Sequence, residues 1–338
     1  MTKKVAVIRG DGVGPELIDA TLGVLKVTNP DIEILMCDAG LEWWKKHGGD
    51  SLIPEETWNV LRETDACFKG PTTTPGGEST PKSVAVSIRQ GLNLYANVRP
   101  IKTFPNTPKP LGDVDFVCVR EGTEGLYYGL ETQEDDTYIA LRKITKSASE
   151  KIAKFAFEEA KRRGWKTVVA IHKSNILKLT CGAFLDAVRR VGKNYPDIEI
   201  ETYHIDNMAQ QLIKNPQLFN NKVLLSTNLF MDILSEECSA LVGSIGLVYS
   251  ANFGDDYAMF EPAHGSAPKY AGKDKVNPTA TILAGAWMLE YLGEKKGADA
   301  IFKAAEKVIS EGKVTYDLGG KATLSEMAGE IAKRTANI

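Results

Sequence analysis

The chain has 338 residues, of which 43% are hydrophobic and 25% are charged, and its formal net charge is −3 at pH 7. These values are typical of a globular protein with one or two domains. Acidic and basic residues are interspersed without a basic stripe, which argues against binding to nucleic acid. No apolar run approaches the ~18 residues that cross a bilayer, so no membrane partner is predicted.

The cysteines and the start of the chain predict a cytoplasmic location. The five cysteines are far apart and form no CxxC pair, which favours buried thiols in a reducing compartment. The first apolar run is short and leads into a Gly-rich turn, which predicts a strand rather than a signal peptide.

Short apolar segments alternate with longer amphipathic ones along the chain, which is the pattern of an α/β fold. The predicted strands are 4–9, 33–37, 66–68, 115–120, 167–172, 199–204 and 222–226. The predicted helices are 15–28, 54–63, 147–163, 180–191, 207–215, 279–292, 298–311 and 324–335. The Pro-rich segment 99–111 is the most loop-like part of the sequence and is interpreted as a crossover between two domains.

A Gly-rich segment, GDGVG at 10–14, follows the first predicted strand and opens the first predicted helix. Glycines at such a place allow the backbone to approach a ligand at a helix N-terminus. The segment does not have GxGxxG spacing, because Pro15 follows it, and no acidic residue ends a second strand where that motif needs one. A plain strand–helix turn is therefore favoured over a dinucleotide site.

Three arginines, Arg89, Arg99 and Arg120, stand near predicted element ends. The planar guanidinium group binds carboxylates through two parallel hydrogen bonds, so the three together suggest an anion site. Surface salt bridges are the alternative for each arginine alone.

Two acids, Asp232 and Glu236, are four residues apart and would share one face of a helix. Carboxylates placed in this way repel each other, and a divalent cation with oxygen ligands would remove the repulsion. Asp206 is a candidate third ligand. A solvated acidic helix face is the alternative.

Two further segments are candidates for chemistry. Tyr127 and Lys173 carry groups that could transfer protons, although core filling explains either residue alone. Segment 260–280 is dense in Gly, Pro, His, Lys and Asn, with too few apolar residues for a core element, and is interpreted as a binding loop.

Six motifs in this order resemble the β-decarboxylating dehydrogenases of the isocitrate/isopropylmalate dehydrogenase family. They are GDGVGPE (10–16), NLYANVRP (93–100), VREGTEGLYYG (119–129), IHKSNILKLTCG (171–182), TNLFMDILSEE (227–237) and EPAHGSAPKYAGKDKVNPTA (261–280). The resemblance covers nearly the whole chain. It implies the family's two-domain, non-Rossmann α/β fold, a mixed sheet flanked by helices. It places 1–97 and 252–338 in a large cofactor-binding domain, and 98–251 in a small domain with the metal site and the dimer interface.

The resemblance also implies a homodimer with shared active sites, acting on a small hydroxy polycarboxylate. Lys173 and Tyr127 are the implied catalytic residues, Lys173 being supplied by the partner subunit. The implied Mg²⁺ or Mn²⁺ ligands are Asp232 and Glu236 of one subunit and Asp206 of the other. Glu236 stands where the family usually has aspartate. The implied substrate-binding residues are Ser83, Arg89, Arg99, Arg120 and Asn175. The implied cofactor-binding residues are Thr74, His264, Gly265, Lys269, Tyr270, Asn277 and Tyr316.

The residues that resemble the family's cofactor site favour NADP, with NAD as the alternative. Lys269, Tyr270 and Tyr316 match the pattern of enzymes that accept the 2′-phosphate of NADP. Gly320 stands where those enzymes have an arginine, so the pattern is incomplete.

The stretch 80–87 corresponds to the family's recognition site for the group on C3 of the substrate. Ser83 favours isocitrate, but Ala85 stands where isocitrate enzymes have asparagine. Homoisocitrate, 3-isopropylmalate or a broad specificity is therefore the alternative. A non-catalytic regulatory chain is disfavoured because the catalytic and metal residues are retained.

Overall fold

Twelve strands are present in the computed structural model, which describes residues 2–77 and 80–338. They are β1 (Lys3–Ile8), β2 (Ile32–Cys37), β3 (Ala66–Lys69), β4 (Ala96–Lys102), β5 (Asp115–Glu121), β6 (Glu131–Glu134), β7 (Thr137–Ala140), β8 (Thr167–His172), β9 (Glu199–His204), β10 (Val223–Ser226), β11 (Tyr249–Phe253) and β12 (Ala258–Pro262).

The same described ranges contain eleven α-helices. They are α1 (Gly14–Lys26), α2 (Leu41–His47), α3 (Glu55–Glu63), α4 (Val84–Gly91), α5 (Lys146–Arg163), α6 (Thr180–Gly192), α7 (Ile205–Lys214), α8 (Asn228–Leu241), α9 (Thr279–Tyr291), α10 (Lys295–Ser310) and α11 (Leu324–Thr335). Among these helices none is long and apolar enough to cross a membrane.

Ten of the strands form one mixed sheet in the order β2-β1-β3-β12-β11-β4-β5-β10-β8-β9. The strands are parallel within β2-β1-β3-β12 and within β5-β10-β8-β9, and the pairs β12-β11, β11-β4 and β4-β5 are antiparallel. β6 and β7 form a separate exposed hairpin. The predicted α/β fold with a mixed sheet is confirmed.

Local signals explain where several helices begin and end. The Thr145 hydroxyl caps α5 by accepting a hydrogen bond from the Ala148 N–H, and α5 ends before Gly164, which has a left-handed backbone conformation. Thr323 and Glu326 form a capping box at the start of α11. Buried apolar side chains from β1 to β10, such as Val5, pack into one continuous core.

The eight predicted helices are all present, but three strands of the sheet were not predicted. Segment 99–111 is not a loop from its start, because β4 extends to Lys102. The interpretation of 260–280 as a loop is also wrong for its first residues, since Phe260 and Glu261 are buried in β12. The predicted domain limits fall inside β4 and β11, adjacent strands in the middle of the sheet, and the division stays a prediction.

Candidate active site

A cluster of arginines and carboxylates lies where β4 and β5 meet α8. In the antiparallel pair β4-β5, Asn97 is opposite Arg120, so their side chains lie on the same face of the sheet. Arg99 is two residues after Asn97 in β4 and therefore lies on that face too. Arg99 Nη1 donates to Glu236 Oε1 at 2.5 Å, and Arg120 Nη1 donates to Asp232. Asp232 and Glu236 therefore share a face of α8, as predicted, and arginines lie directly beside them.

The Tyr127 side chain completes this cluster. Its hydroxyl donates a hydrogen bond to Asp232, and its ring lies 4.8 Å from the Arg120 guanidinium carbon. Burial, and then the neighbouring Asp232 carboxylate, raise the pKa of Tyr127. The phenol is therefore protonated at neutral pH and can donate a proton to a basic carbon or oxygen placed beside it.

Arg120 is almost completely buried and lies near two other arginines. Burial, followed by the nearby Arg89 and Arg99, lowers the pKa of Arg120 to about 10. The side-chain oxygen of Asn228 accepts hydrogen bonds from Arg120 Nε at 2.9 Å and Nη2 at 2.6 Å. The structure thus brings the three predicted arginines together at one place, where they can attract a polyanion.

Arg89 is held by a buried polar network that sequence reasoning missed. It lies on α4 and donates from Nε to Asn252 Oδ1 at 2.7 Å and from Nη2 to Glu261 Oε1 at 2.9 Å. Lys69 Nζ lies 2.8 Å from Glu261 Oε2. Burial acts to raise the pKa of Glu261, but Lys69 and Arg89 outweigh it and hold that pKa far below its usual range. The sequence did contain a signal for this network: Lys69 directly follows the apolar residues of a predicted strand. A lysine buried there would require an acidic partner.

Ser83 directly precedes α4, six residues before Arg89, which lies in that helix. Its side chain is half-buried and makes no capping hydrogen bond to the helix. Ala85, the second residue of the helix, is half-buried, and Lys82 is exposed.

Lys173 and Asp206 form a second group. Lys173 Nζ donates to Asp206 Oδ2 at 2.6 Å, and this hydrogen bond lowers the pKa of Asp206. Asn175 is exposed in the segment between β8 and α6. Within residues 2–77 and 80–338, no three acidic, His or Cys side chains form a group able to hold a metal ion. Within one chain, therefore, Asp206 lies beside Lys173, apart from the other two predicted metal ligands, Asp232 and Glu236.

A cleft of about 300 Å³ lies beside the Gly-rich segment. The predicted cofactor residues that line it are His264, Gly265, Tyr270, Asn277 and Tyr316, together with Val13, Ser244, Ile245, Gly246, Ala267, Val276 and Asp317. Lys269 is exposed next to Tyr270, and Thr74 is exposed in the loop after β3; neither lines the cleft.

His264 provides a test of whether this cleft suits a ligand. Its Nε2 atom is buried and has no hydrogen-bond partner among the described residues. Burial lowers the pKa of His264, so the ring is neutral at pH 7. A buried, unpaired ring nitrogen at the wall of a cleft fits a polar ligand group that pairs with it.

The Gly-rich segment is a packing turn, as favoured from sequence. A Cβ at Gly12 would lie 2.1 Å from the Ser266 carbonyl oxygen, so only glycine fits there. The carboxylate of Asp11 accepts hydrogen bonds from the backbone N–H groups of Leu41, Glu42 and Thr73. The segment thus connects the cofactor-side loop, α2 and the loop after β3.

Comparison with known proteins agrees with this arrangement. Residues 4–331 match the family described as isocitrate/isopropylmalate dehydrogenase. The chain belongs to this family. It is therefore an enzyme of the group that oxidises small hydroxy acids with NAD or NADP and a divalent metal.

Members of this dehydrogenase family with different names are almost equally similar to the chain. A 3-isopropylmalate dehydrogenase of Methanothermobacter thermautotrophicus is 44% identical over 98% of both chains. An isocitrate/homoisocitrate dehydrogenase of Thermus thermophilus is 43% identical over 96% of both. The crystal structure of isocitrate dehydrogenase from Methylococcus capsulatus superposes with a TM-score of 0.93, at 42% identity, and covers 99% of both chains.

Proposed function

We propose that the chain catalyses the oxidative decarboxylation of isocitrate to 2-oxoglutarate and CO₂, with NADP as hydride acceptor. The observation that carries this proposal is the meeting of Arg89, Arg99 and Arg120 beside the Tyr127 hydroxyl. Three cations in a largely buried place suit a substrate with several carboxylates, and a protonated phenol suits the protonation of an enolate.

The reaction has two stages. In the first, the C2 hydroxyl loses its proton and C2 gives up hydride, which bound NADP would accept; we assign the proton transfer to Lys173. In the second, the carboxylate on C3 leaves as CO₂, and its bonding electrons form an enolate. Tyr127 gives its proton to C3 of that enolate, and the product is the 2-oxo acid.

We assign the metal ligands to Asp232 and Glu236 of one subunit and to Asp206 of a second copy. Carboxylate oxygens are suitable ligands for Mg²⁺ or Mn²⁺, but one chain places only two of the three together. A bound divalent cation would supply Lewis-acid stabilisation of the developing enolate. Arg99 and Arg120 hold the two α8 carboxylates in place on their own subunit.

A second copy of the chain is supported by the surface around Lys173. Ile176 is 68% exposed and Leu179 is 88% exposed, directly after the catalytic lysine. Leu130, Tyr138 and Leu141 are exposed on or beside the β6-β7 hairpin. Exposed apolar side chains of this number are typical of an interface. A homodimer would cover them and would bring Lys173 and Asp206 to the arginine cluster of the partner.

Ser83 supports isocitrate as the substrate. Its hydroxyl at the N-terminus of α4 makes no capping bond and suits a carboxylate on the group attached to C3, because a helix N-terminus favours negative charge. No leucine lies in the stretch 80–87 to receive an isopropyl group. Homoisocitrate or 3-isopropylmalate is the second candidate, favoured by Ala85 and by the names of the relatives.

Steady-state kinetics with a panel of acids test this proposal. The purified chain is assayed with Mg²⁺ or Mn²⁺ and with NADP or NAD. We expect isocitrate with NADP to give the highest kcat/KM. A higher value for homoisocitrate or 3-isopropylmalate would replace the proposed substrate, and no turnover with any of the acids would refute the enzymatic role.

A further inference from the structure

Two tyrosines and a lysine meet at the edge of the cofactor cleft. The ring centroids of Tyr270 and Tyr316 are 6.2 Å apart. The Lys275 ammonium lies 4.6 Å from the centre of the Tyr316 ring and 5.7 Å from that of Tyr270. The lysine therefore lies over the rings of two of the residues that the sequence assigns to cofactor binding.

The positive charge of Lys275 is not neutralised by an acid. Within residues 2–77 and 80–338, no carboxylate oxygen lies within 4.0 Å of its ammonium. The adjacent Asp274 carboxylate is used elsewhere, because it accepts hydrogen bonds from the Ser325 N–H at 2.7 Å and the Ser325 hydroxyl at 2.6 Å. Aromatic faces position a cation without cancelling its charge, so three N–H donors and a full charge remain for a ligand.

Gly320, four residues after Tyr316, has no room for a side chain. A Cβ there would lie 1.8 Å from the Val314 carbonyl oxygen. The Gly320 N–H also donates to the Thr315 carbonyl oxygen at 3.0 Å, which fixes this tight turn. A cation for a phosphate at this edge must come from another position.

We propose that Lys275 binds the 2′-phosphate of NADP and supplies the cation that Gly320 cannot. The inference rests on the proposal that NADP is the cofactor and adds one residue to its binding site. In this arrangement the ammonium meets the phosphate beside Tyr270 and Tyr316. The anchoring of Asp274 to the start of α11 keeps the Lys275 backbone at the cleft.

Binding of reduced cofactors to the full-length chain tests the assignment without any turnover. NADPH and NADH are titrated separately against the wild type, Lys275→Gln and the matched control Lys273→Gln, and bound cofactor is followed by fluorescence. Lys273 is exposed two residues earlier and lies over neither ring. Because a charge-assisted contact to phosphate is lost, Lys275→Gln should weaken NADPH binding roughly tenfold. Its NADH binding, its melting temperature and all properties of Lys273→Gln should stay at the wild-type level.

The possible failures are distinct. If the wild type prefers NADPH but Lys275→Gln binds it equally well, Lys275 has no such role and the proposed cofactor stands. If the wild type binds NADH at least as tightly as NADPH, the proposed cofactor is wrong and the role of Lys275 falls with it. Equal weakening of NADPH and NADH binding would show a general structural effect and would also overturn the assignment.

Discussion

The Oε1 atom of Glu261 accepts a hydrogen bond of 2.9 Å from Nη2 of Arg89, and both side chains are buried. Glu261 also pairs with Lys69, so one carboxylate lies between two buried cations and offsets one of their two positive charges. The network fixes one of the three arginines of the candidate site and connects α4 to β12. The charge balance of this network depends on Glu261, which was not among the predicted site residues.

Replacing Glu261 by glutamine should therefore destabilise the fold. Loss of the carboxylate leaves Lys69 and Arg89 buried without their counter-charge, which typically costs about 3–5 kcal/mol. Urea unfolding at pH 7 measures the change, with the exposed Glu306→Gln as the matched control. A loss below ~1 kcal/mol, within the range of ordinary surface substitutions, would contradict the assigned role.

The same residue predicts a dependence of stability on pH. The pKa of Glu261 is lower in the folded chain than its ordinary value of 4.5. The stability that it contributes is therefore fully present above that ordinary value and is lost as the pH falls below it toward the folded pKa. Unfolding free energies measured from pH 7 down to pH 3 should fall less steeply for Glu261→Gln than for the wild type.

Mixing two inactive variants tests whether the active site is shared between subunits. Lys173→Gln and Asp232→Asn should each be inactive alone. If the site combines Asp232 of one copy with Lys173 of the other, mixed dimers contain one intact site. After unfolding and refolding together, an equal mixture should regain roughly a quarter of wild-type activity.

The control for this experiment is a mixture of Lys173→Gln with Asp206→Asn. These two residues pair within one chain, so they enter the same site and no intact site can form. Recovery in the control mixture, or its absence in the first mixture, would contradict the shared site.

Tyr127→Phe should retain the fold and lose most of the activity. The ring can still lie against Arg120, but the hydroxyl that donates to Asp232, and that we propose as the proton donor to the enolate, is removed. We expect kcat to fall about 10²- to 10⁴-fold, the usual range for a lost general acid, with little change in melting temperature. Tyr128→Phe is the matched control, and an unchanged kcat for Tyr127→Phe would exclude the acid role.

Lys269→Asp should shift the cofactor preference toward NAD. An anion in place of the exposed ammonium would repel a 2′-phosphate and leave NAD, which lacks that group, little affected. The ratio of kcat/KM for NADP to that for NAD measures the shift. Lys296→Asp, on α10 outside the cleft, provides the control; an unchanged ratio for Lys269→Asp would count against the cofactor assignment.

Much of the fold followed from periodicity, but the strands in the middle of the sheet did not. Helices such as α5 carry strong start and stop signals, and strands such as β8 have a continuous apolar run at their centre. β4 and β12 contain arginine, glutamate and proline in buried positions. Their polar side chains are satisfied only by partners far away in sequence, so a local pattern could not show that they are buried.

The candidate site was predicted as a set of residues but not as a network. Motif order selected Arg120, Asp232 and Tyr127, and the structure places these three in contact. The contribution of Lys69 and Glu261 depends on the pairing of β12 with β3, which the sequence does not reveal. The separation of Asp206 from Asp232 within one chain is likewise a property of the fold.

The most direct test of the proposed reaction follows two labels at once. Isocitrate is prepared with deuterium on C2 and ¹³C in the carboxylate attached to C3, and is incubated with the purified chain, NADP and Mg²⁺. We predict that each turnover transfers the deuterium to the reduced cofactor and releases the label as ¹³CO₂, in a one-to-one ratio. Reduced cofactor without ¹³CO₂, ¹³CO₂ without deuterium transfer, or no reaction would contradict a β-decarboxylating isocitrate dehydrogenase.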